Sequence, residues 1–189
     1  IFQEMTVPEI VKQVFQDRGQ TDFEDRLQGS YPKLTYCVQY RERDIDFVSR
    51  LLEEFGITYF FKHDKERHTL VLADAPGAFE PCPHQSRVRF REDSRLPSPL
   101  PEPGVVTELS LSQELHAGKY SHTDYNFETP SNDLRTSAPT RVSVGGNTGF
   151  EIYDYPGRYA EVDVGEKVAK LRIEEGESPH LTVDAMTTC

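Results

Sequence analysis

The chain has 189 residues, of which 36% are hydrophobic and 11% aromatic, and its formal net charge at pH 7 is −11. The aromatic content excludes a fully disordered chain, and the length allows one ordinary domain or two small ones. The acidic excess argues against a nucleic-acid backbone or an anionic membrane surface as the main partner, because no basic surplus exists to bind either. No stretch approaches the roughly 20 apolar residues that a membrane span requires.

Two short amphipathic helices are predicted in the N-terminal part. Thr6 and Glu9 have the spacing of a capping box, so we predict a helix near residues 7–17. A second helix is predicted near residues 45–55, with Asp44 as its N-cap. Because both helices are short, each needs another element to cover its apolar side.

Strands are predicted between and after these helices. Residues 35–40 alternate between polar and apolar side chains. Residues 57–62 and 68–73 flank a charged turn and predict a β-hairpin. A further strand is predicted over residues 86–91.

A proline-rich segment separates the two halves of the chain. Four prolines lie between residues 97 and 103, which excludes a helix or a central strand and favours an extended linker. We therefore predict an α+β domain over residues 1–96, a linker over 97–104 and a second β-rich domain over 105–189. The chain begins at Ile1 without a signal-peptide pattern, so we expect it to be a fragment of a longer protein.

The second predicted domain begins with two long strands, over residues 105–115 and 119–127, which we interpret as a hairpin. Residues 131–141 have the composition of a loop, and a strand is predicted near the end of 143–155. The last two elements are a helix near 164–175 and a strand over 181–187. In the helix, the apolar positions with helical spacing are Val164, Val168 and Leu171. Together the elements predict an α+β fold dominated by antiparallel strands.

Motifs of catalysis are missing from the sequence. It contains no nucleophile elbow, no HExxH zinc motif and no phosphate-binding loop. His63 and His68 bracket the predicted hairpin turn and could face each other, and Asp64 or Glu66 could add a third metal ligand. The alternative interpretation of this pair is a solvated, charged turn.

The other candidate residues give weaker patterns. His116 and His122 lie on either side of a predicted turn with Asp124 nearby, and His84 lies beside Cys82 in a loop. The three cysteines, Cys37, Cys82 and Cys189, are too few for a disulfide framework and are expected to be reduced and buried. We therefore predict no catalytic, cofactor-binding or metal-binding residue and no cofactor.

Several blocks of the sequence resemble one protein family. The blocks are residues 36–42 (YCVQYRE), 46–61 (DFVSRLLEEFGITYFF), 69–74 (TLVLAD) and 152–159 (IYDYPGRY). Their order and content are similar to the VgrG family, the spike proteins of type VI secretion systems in Gram-negative bacteria. The resemblance covers nearly the whole chain and thins between about residues 75 and 104 and between 128 and 148.

The resemblance implies a structural part of an injection machine, not an enzyme. The corresponding region of the family is similar to the baseplate hub of contractile phage tails, with two barrel-like β domains in each of three copies. The implied partners are two further copies of the chain, an Hcp-like hexameric tube protein, and a PAAR tip protein and effectors that bind through the missing C-terminal part. The implied route is assembly in the cytoplasm followed by contractile export, without stable membrane insertion.

The motif at residues 152–159 suits a role in specifying the fold. Pro156 and Gly157 suit the central positions of a type II turn, and Arg158 could bind the carboxylate of Asp154 or a strand edge. Two alternatives to the spike hub remain open at this point. One is the tail or baseplate hub of a phage or of a phage-derived particle, and the other is a metal-dependent hydrolase that uses His63 and His68.

Overall fold

The computed structural model describes residues 1–82, 86–91 and 104–188. The chain divides into two compact units, Ile1–Glu80 and Pro81–Cys189. The predicted linker lies outside the described residues except for Gly104. None of the helices in the described part of the chain is long and apolar enough to cross a membrane.

The first unit contains two helices and five strands. In chain order these are β1 (Met5–Thr6), α1 (Val7–Asp17), β2 (Phe23–Arg26), β3 (Lys33–Leu34), α2 (Asp44–Glu54), β4 (Thr58–His63) and β5 (His68–Ala73). Helix α1 begins with the predicted capping box, in which Glu9 N donates to Thr6 Oγ1 and Thr6 N donates to Glu9 Oε2. The N-cap of α2 is Arg43 and not the predicted Asp44, which instead lies in the first turn.

Both helices of the first unit end in the same way. Gly19 follows α1 with φ 68°, and Gly56 follows α2 with φ 67°. The residue after each glycine donates its backbone N–H to a carbonyl in the last turn of the helix. These hydrogen bonds run from Gln20 N to Phe15 O and from Ile57 N to Leu52 O. This pattern is the Schellman motif, and it explains why the sequence needs glycine at these two positions.

Strand β5 lies in the centre of the three-stranded sheet β2-β5-β4. Strand β4 pairs with β5 antiparallel in the predicted hairpin, and β2 pairs with it parallel. The helices and the sheet enclose the core of this unit, to which buried side chains of α1 and α2 contribute most of the members. The buried residues are Val7, Ile10, Val11, Val14, Cys37, Phe47, Val48, Leu51, Leu52, Ile57 and Leu72.

The described residues of the second unit form six strands and one long helix. In chain order these are β6 (Arg89–Phe90), β7 (Val105–Gln113), β8 (Lys119–His122), β9 (Thr136–Pro139), β10 (Glu151–Asp154), α3 (Val162–Glu177) and β11 (Leu181–Thr188). They form two sheets, with strand orders β11-β7-β6 and β10-β8-β9. Helix α3 packs on β8 and β9, and its buried residues are Gly165, Ala169 and Ile173.

The structure corrects several sequence-based predictions. Strands β7 and β8 do not form the predicted hairpin, because β7 pairs with β11 whereas β8 pairs with β9 and β10. The predicted strand over residues 35–40 is reduced to a single bridge between Phe2 and Cys37. The predicted loop at 131–141 contains β9, whose side chains alternate between buried and exposed.

The predicted fold class holds at the coarser level of a mixed helix and sheet fold. Four of the seven strand pairs in the described residues are antiparallel, as predicted, but each three-stranded sheet also contains one parallel pair, which the sequence did not predict. The described strands form open sheets of two or three strands rather than a closed barrel. Parallel pairs such as β8 with β10 need long connections, and the sequence pattern of the strands alone does not reveal them.

Candidate functional site

One exposed apolar surface in the described part of the second unit is the ribbon formed by β7 and β11. The two strands pair antiparallel over most of their length, with Leu181 opposite Gln113 and Val183 opposite Leu111. Residues directly opposite each other in an antiparallel pair point to the same face. One face of the ribbon therefore carries the side chains Leu109, Leu111, Leu181, Val183 and Ala185, with Gln113 as the polar residue at its end.

The apolar face of the ribbon is uncovered. Leu109 is 51% exposed and Leu111 is 65% exposed, and Leu181 and Val183 are exposed to a similar degree. The opposite face carries mostly polar side chains, including Ser110, Ser112 and Asp184, together with Met186. The alternation of apolar and polar residues thus gives a two-sided ribbon whose apolar side has no cover within the described residues of the unit.

A second exposed strand lies at the edge of the other sheet. All residues of β10 are exposed, and β10 pairs on one side only, with β8. Ile152 and Tyr153 on the strand, together with Phe150 before it and Tyr155 after it, are each more than half exposed. An edge strand with unpaired backbone groups and apolar side chains is suited to pairing with another segment of protein.

The turn after β10 is organised around the ring of Tyr159. This ring lies 4.7 Å from the ring of His122, measured between centroids, and its hydroxyl donates to Leu134 O at 2.6 Å. Gly157 and Gly165 lie against the two edges of the ring, where a Cβ would come within 2.2 Å and 2.4 Å of its carbon atoms. His122 is buried and donates from Nε2 to Gly165 O at 2.8 Å, which ties β8 to the first turn of α3.

The predicted type II turn at Pro156 and Gly157 is wrong. The Tyr155–Pro156 peptide bond is cis, and the residue with positive φ is Arg158 (φ 59°). The backbone N–H of Arg158 donates to Asp124 Oδ2 at 2.5 Å, whereas the carboxylate of Asp154 accepts from Tyr155 N at 2.8 Å. Gly157 is therefore required by its close contact with Tyr159 and not by its backbone conformation.

The histidine pair that the sequence singled out does come together. His63 and His68 are opposite each other in the β4–β5 hairpin, and their Nδ1 atoms are 2.7 Å apart. Within the described residues, no group of three or more His, Cys, Asp or Glu side chains is arranged to hold a metal ion. Asp64 and Glu66 therefore do not complete the ligand set of a catalytic metal in this structure.

The remaining candidate residues are dispersed. His116 contacts His180 and not His122, which is buried beside Tyr159. Cys37 is buried, and its burial raises the pKa of the thiol, whereas Cys82 is exposed, contrary to the prediction of buried cysteines. His84 and Cys189 lie outside the described residues.

The sequence predicts alternating strands at β7 and β11 but not their pairing with each other. The nearer strand β8 is the expected partner of β7 from the sequence, so the ribbon and its exposed apolar face were not predicted.

Comparison with known proteins identifies what this chain is similar to. The profile of the phage tail baseplate hub (GPD) family matches residues 1–189. The type VI secretion system spike protein VgrG1c of Pseudomonas aeruginosa PAO1 is 42% identical over 183 residues, which cover 92% of this chain and 23% of that protein. The actin cross-linking toxin VgrG1 of Vibrio cholerae is 31% identical over 184 residues, which cover 92% of this chain and 15% of the toxin. The chain therefore spans less than a quarter of the length of these two relatives.

Among structures, the tail protein from Neisseria meningitidis MC58 aligns with a TM-score of 0.59 and 13% identity, covering 98% of this chain and 51% of the tail protein. At this identity the likeness concerns the fold alone. The resemblance to VgrG spike proteins that the sequence blocks indicated is confirmed by the identity to VgrG1c. Because the family profile matches the whole chain, the chain belongs to the phage tail baseplate hub family.

Proposed function

We propose that this chain is the hub segment of a type VI secretion spike and acts as a structural component without catalytic activity. The observation that carries the proposal is the β7–β11 ribbon, whose apolar face is exposed along its length. Contiguous exposed apolar surface on a soluble protein marks an interaction site. A hub offers such a face to neighbouring subunits in the assembled particle.

In this proposal the hub is a homotrimer with barrel-like β domains. The ribbon and the edge strand β10 meet neighbouring protein segments and so complete sheets that are open in a single chain. The trimer docks on an Hcp-like hexameric tube, and a PAAR tip protein and effectors bind through parts of the protein beyond residues 1–189. The complex assembles in the cytoplasm and leaves the cell by contractile export.

The alternative that shares this fold is the tail hub of a phage or of a phage-derived injection particle. The fold likeness to a Neisseria tail protein fits both functions. The sequence favours the secretion spike, because identity to VgrG1c is 42% whereas identity to the tail protein is 13%.

A role as an enzyme has less support. The match to the actin cross-linking toxin covers 15% of that protein. The cross-linking activity in its name belongs to the whole toxin and is not assigned to the matched region. A metal-dependent hydrolase would need a third ligand beside His63 and His68, and the described residues do not provide one in that cluster. We therefore do not retain the hydrolase as a second candidate.

The proposal is tested by placing a charge on the apolar face of the ribbon. In a bacterium that has this protein as its sole spike, Leu111→Asp should abolish release of the hexameric tube protein into the medium. The carboxylate would have to lose its water in the subunit contact, which opposes assembly. The amount of tube protein in cells and medium is measured by immunoblot.

Ser112→Asp is the matched control, because Ser112 is the next residue on the same strand and points to the polar face. This variant should release the tube protein at the normal level, and both variants should accumulate in cells to the same amount. Normal release by Leu111→Asp, with loss of release on deletion of the gene, would contradict the proposed contact.

A further inference from the structure

The end of the β4–β5 hairpin places two imidazole rings directly opposite each other. Asp64 N donates to Arg67 O at 2.9 Å and closes the turn. Hydrogen-bonded and non-hydrogen-bonded pairs alternate along an antiparallel ladder, and side chains of the second type lie closer together. His63 and His68 are the pair next to Asp64 and Arg67, so their side chains occupy the closer kind of position.

The geometry of the two rings places one nitrogen of each ring close to the other. The Nδ1 atoms are 2.7 Å apart and the ring centroids are 4.8 Å apart, with the ring planes at 70°. Two nitrogens bound to one metal ion at about 2.1 Å and at right angles to each other are about 3 Å apart. The present separation of the two Nδ1 atoms is therefore close to the separation that a chelating pair requires.

The surroundings of the histidine pair leave room for an ion that can bind and dissociate. Both histidines are exposed, so water can complete the coordination sphere of an ion that the two rings hold. Phe61 stacks on His63, with centroids 6.2 Å apart and the planes at 19°, and this contact restricts the orientation of the His63 ring. Restricting the ring before binding lowers the entropy cost of forming the site.

We infer that His63 and His68 form a two-histidine binding site for one divalent transition-metal ion of the Ni²⁺, Cu²⁺ and Zn²⁺ class. Imidazole nitrogen is a preferred ligand for these ions, whereas Mg²⁺ and Ca²⁺ prefer oxygen. The inference goes beyond the structural function proposed above and assigns no catalysis to the site. A bound ion bridges β4 and β5 and so stabilises the hairpin, because it binds the folded chain in preference to the unfolded one.

The site is tested by titrating the untagged chain with NiCl₂ at neutral pH, using calorimetry and the imidazole signals in NMR spectra. The titration is done in a Cys82→Ser background, because Cys82 is an exposed thiol that can also bind metal. We expect one Ni²⁺ per chain, with shifts in the signals of His63 and His68. Either His63→Ala or His68→Ala should weaken the affinity by about 10- to 100-fold or more, since even outer-shell changes at metal sites have effects of that size.

His116→Ala is the matched control, because His116 and His180 form the other pair of neighbouring histidines in the described residues, with centroids 5.8 Å apart. Their Nδ1 atoms already donate to backbone carbonyls, that of His116 to Ala117 O and that of His180 to Glu114 O. This variant should bind Ni²⁺ like the parent chain. Melting curves without metal should be the same for all variants, which separates loss of ligands from loss of fold.

Two results would overturn the inference. One is the absence of Ni²⁺ binding by the folded parent chain at millimolar metal. The other is binding that survives unchanged in a double His63→Ala, His68→Ala variant, because the ion would then be held elsewhere.

Discussion

The carboxylate of Asp74 holds the loop that follows β2. It accepts hydrogen bonds from Gln28 N and Gly29 N, at 2.9 Å and 2.7 Å, and from the hydroxyl of Tyr31 at 2.8 Å. Burial by itself would raise the pKa of Asp74, but these hydrogen bonds outweigh burial and hold the pKa below its ordinary value of 3.8. Burial of the ring, and then the contact with Asp74, raise the pKa of Tyr31.

We predict that Asp74→Asn lowers the free energy of unfolding by about 1–3 kcal/mol at pH 7, because the amide cannot accept all three hydrogen bonds and leaves a donor without a partner. A carboxyl whose pKa is lower in the folded state stabilises the fold above its unfolded-state pKa. This contribution is lost as the pH falls from about 4 through the lower folded-state pKa. Urea unfolding of the parent and the variant should therefore differ at pH 7 and converge toward pH 2.

Asp22→Asn is a control for this prediction, because Asp22 is an exposed aspartate in the same unit. Its unfolding curve should match that of the parent chain at both pH values. A stability difference for Asp74→Asn that is as large at pH 2 as at pH 7 would contradict the role assigned to the Asp74 charge.

At the scale of elements, α3 packs on its sheet through two small residues, Gly165 and Ala169, and through Ile173. Gly165 and Ala169 are buried on the side of the helix that faces β8 and β9. A Cβ at Gly165 would lie 2.4 Å from a carbon of the Tyr159 ring. Gly176 is in the same helix, where a Cβ would meet nothing within 4 Å. The two glycines thus differ in packing while sharing a helical backbone.

This difference gives a paired prediction for thermal and urea unfolding. Gly165→Ala should destabilise the chain by about 1–3 kcal/mol, because overpacking against Tyr159 outweighs the better helix propensity of alanine. Gly176→Ala should be neutral or stabilise by up to about 1 kcal/mol, because only the propensity changes. If both substitutions stabilised the chain equally, the close packing of Tyr159 against α3 would be refuted.

The position of α3 was predictable from the sequence, but its buried side was not. Val164, Val168 and Leu171 have helical spacing and predicted a helix near residues 164–175, which spans Val162–Glu177 in the structure. The buried stripe consists of Gly165, Ala169 and Ile173, and only Ile173 among them gives an apolar signal. A helix that lies close to a sheet needs small residues at the contact. Which side of the helix makes that contact depends on the sheet, so the sequence of the helix alone does not reveal it.

The other predictions that succeeded concern interactions between residues close together in the sequence. The capping box of Thr6 and Glu9 and the hairpin of β4 and β5 depend on neighbouring residues, and the sequence predicted both. The pairing of β7 with β11 joins residues about 70 to 80 positions apart, and the sequence pattern of each strand fits several partners equally well. The ribbon of β7 and β11 was not predicted for this reason. The proximity of His63 and His68 was predicted because the two residues flank a short turn.

At the scale of the whole molecule, the two units differ in how much apolar surface they bury. The core of the first unit has eleven buried residues, whereas the buried cluster around α3 in the second unit has four among the described residues. The second unit also carries the exposed ribbon and the exposed strand β10. A unit with a small core and open sheets gains stability when neighbouring protein covers those sheets. This contrast is the physical basis for proposing a homo-oligomeric hub.

The most direct test of the hub is the absolute mass of the protein in solution, measured by light scattering on a size-exclusion column over a range of concentrations. For residues 1–189, we predict a mass that approaches three times the 21.6 kDa of one chain as concentration rises. The complete protein should have three times the mass of its own chain at every concentration. A complete protein that stays monomeric throughout the range would contradict the account.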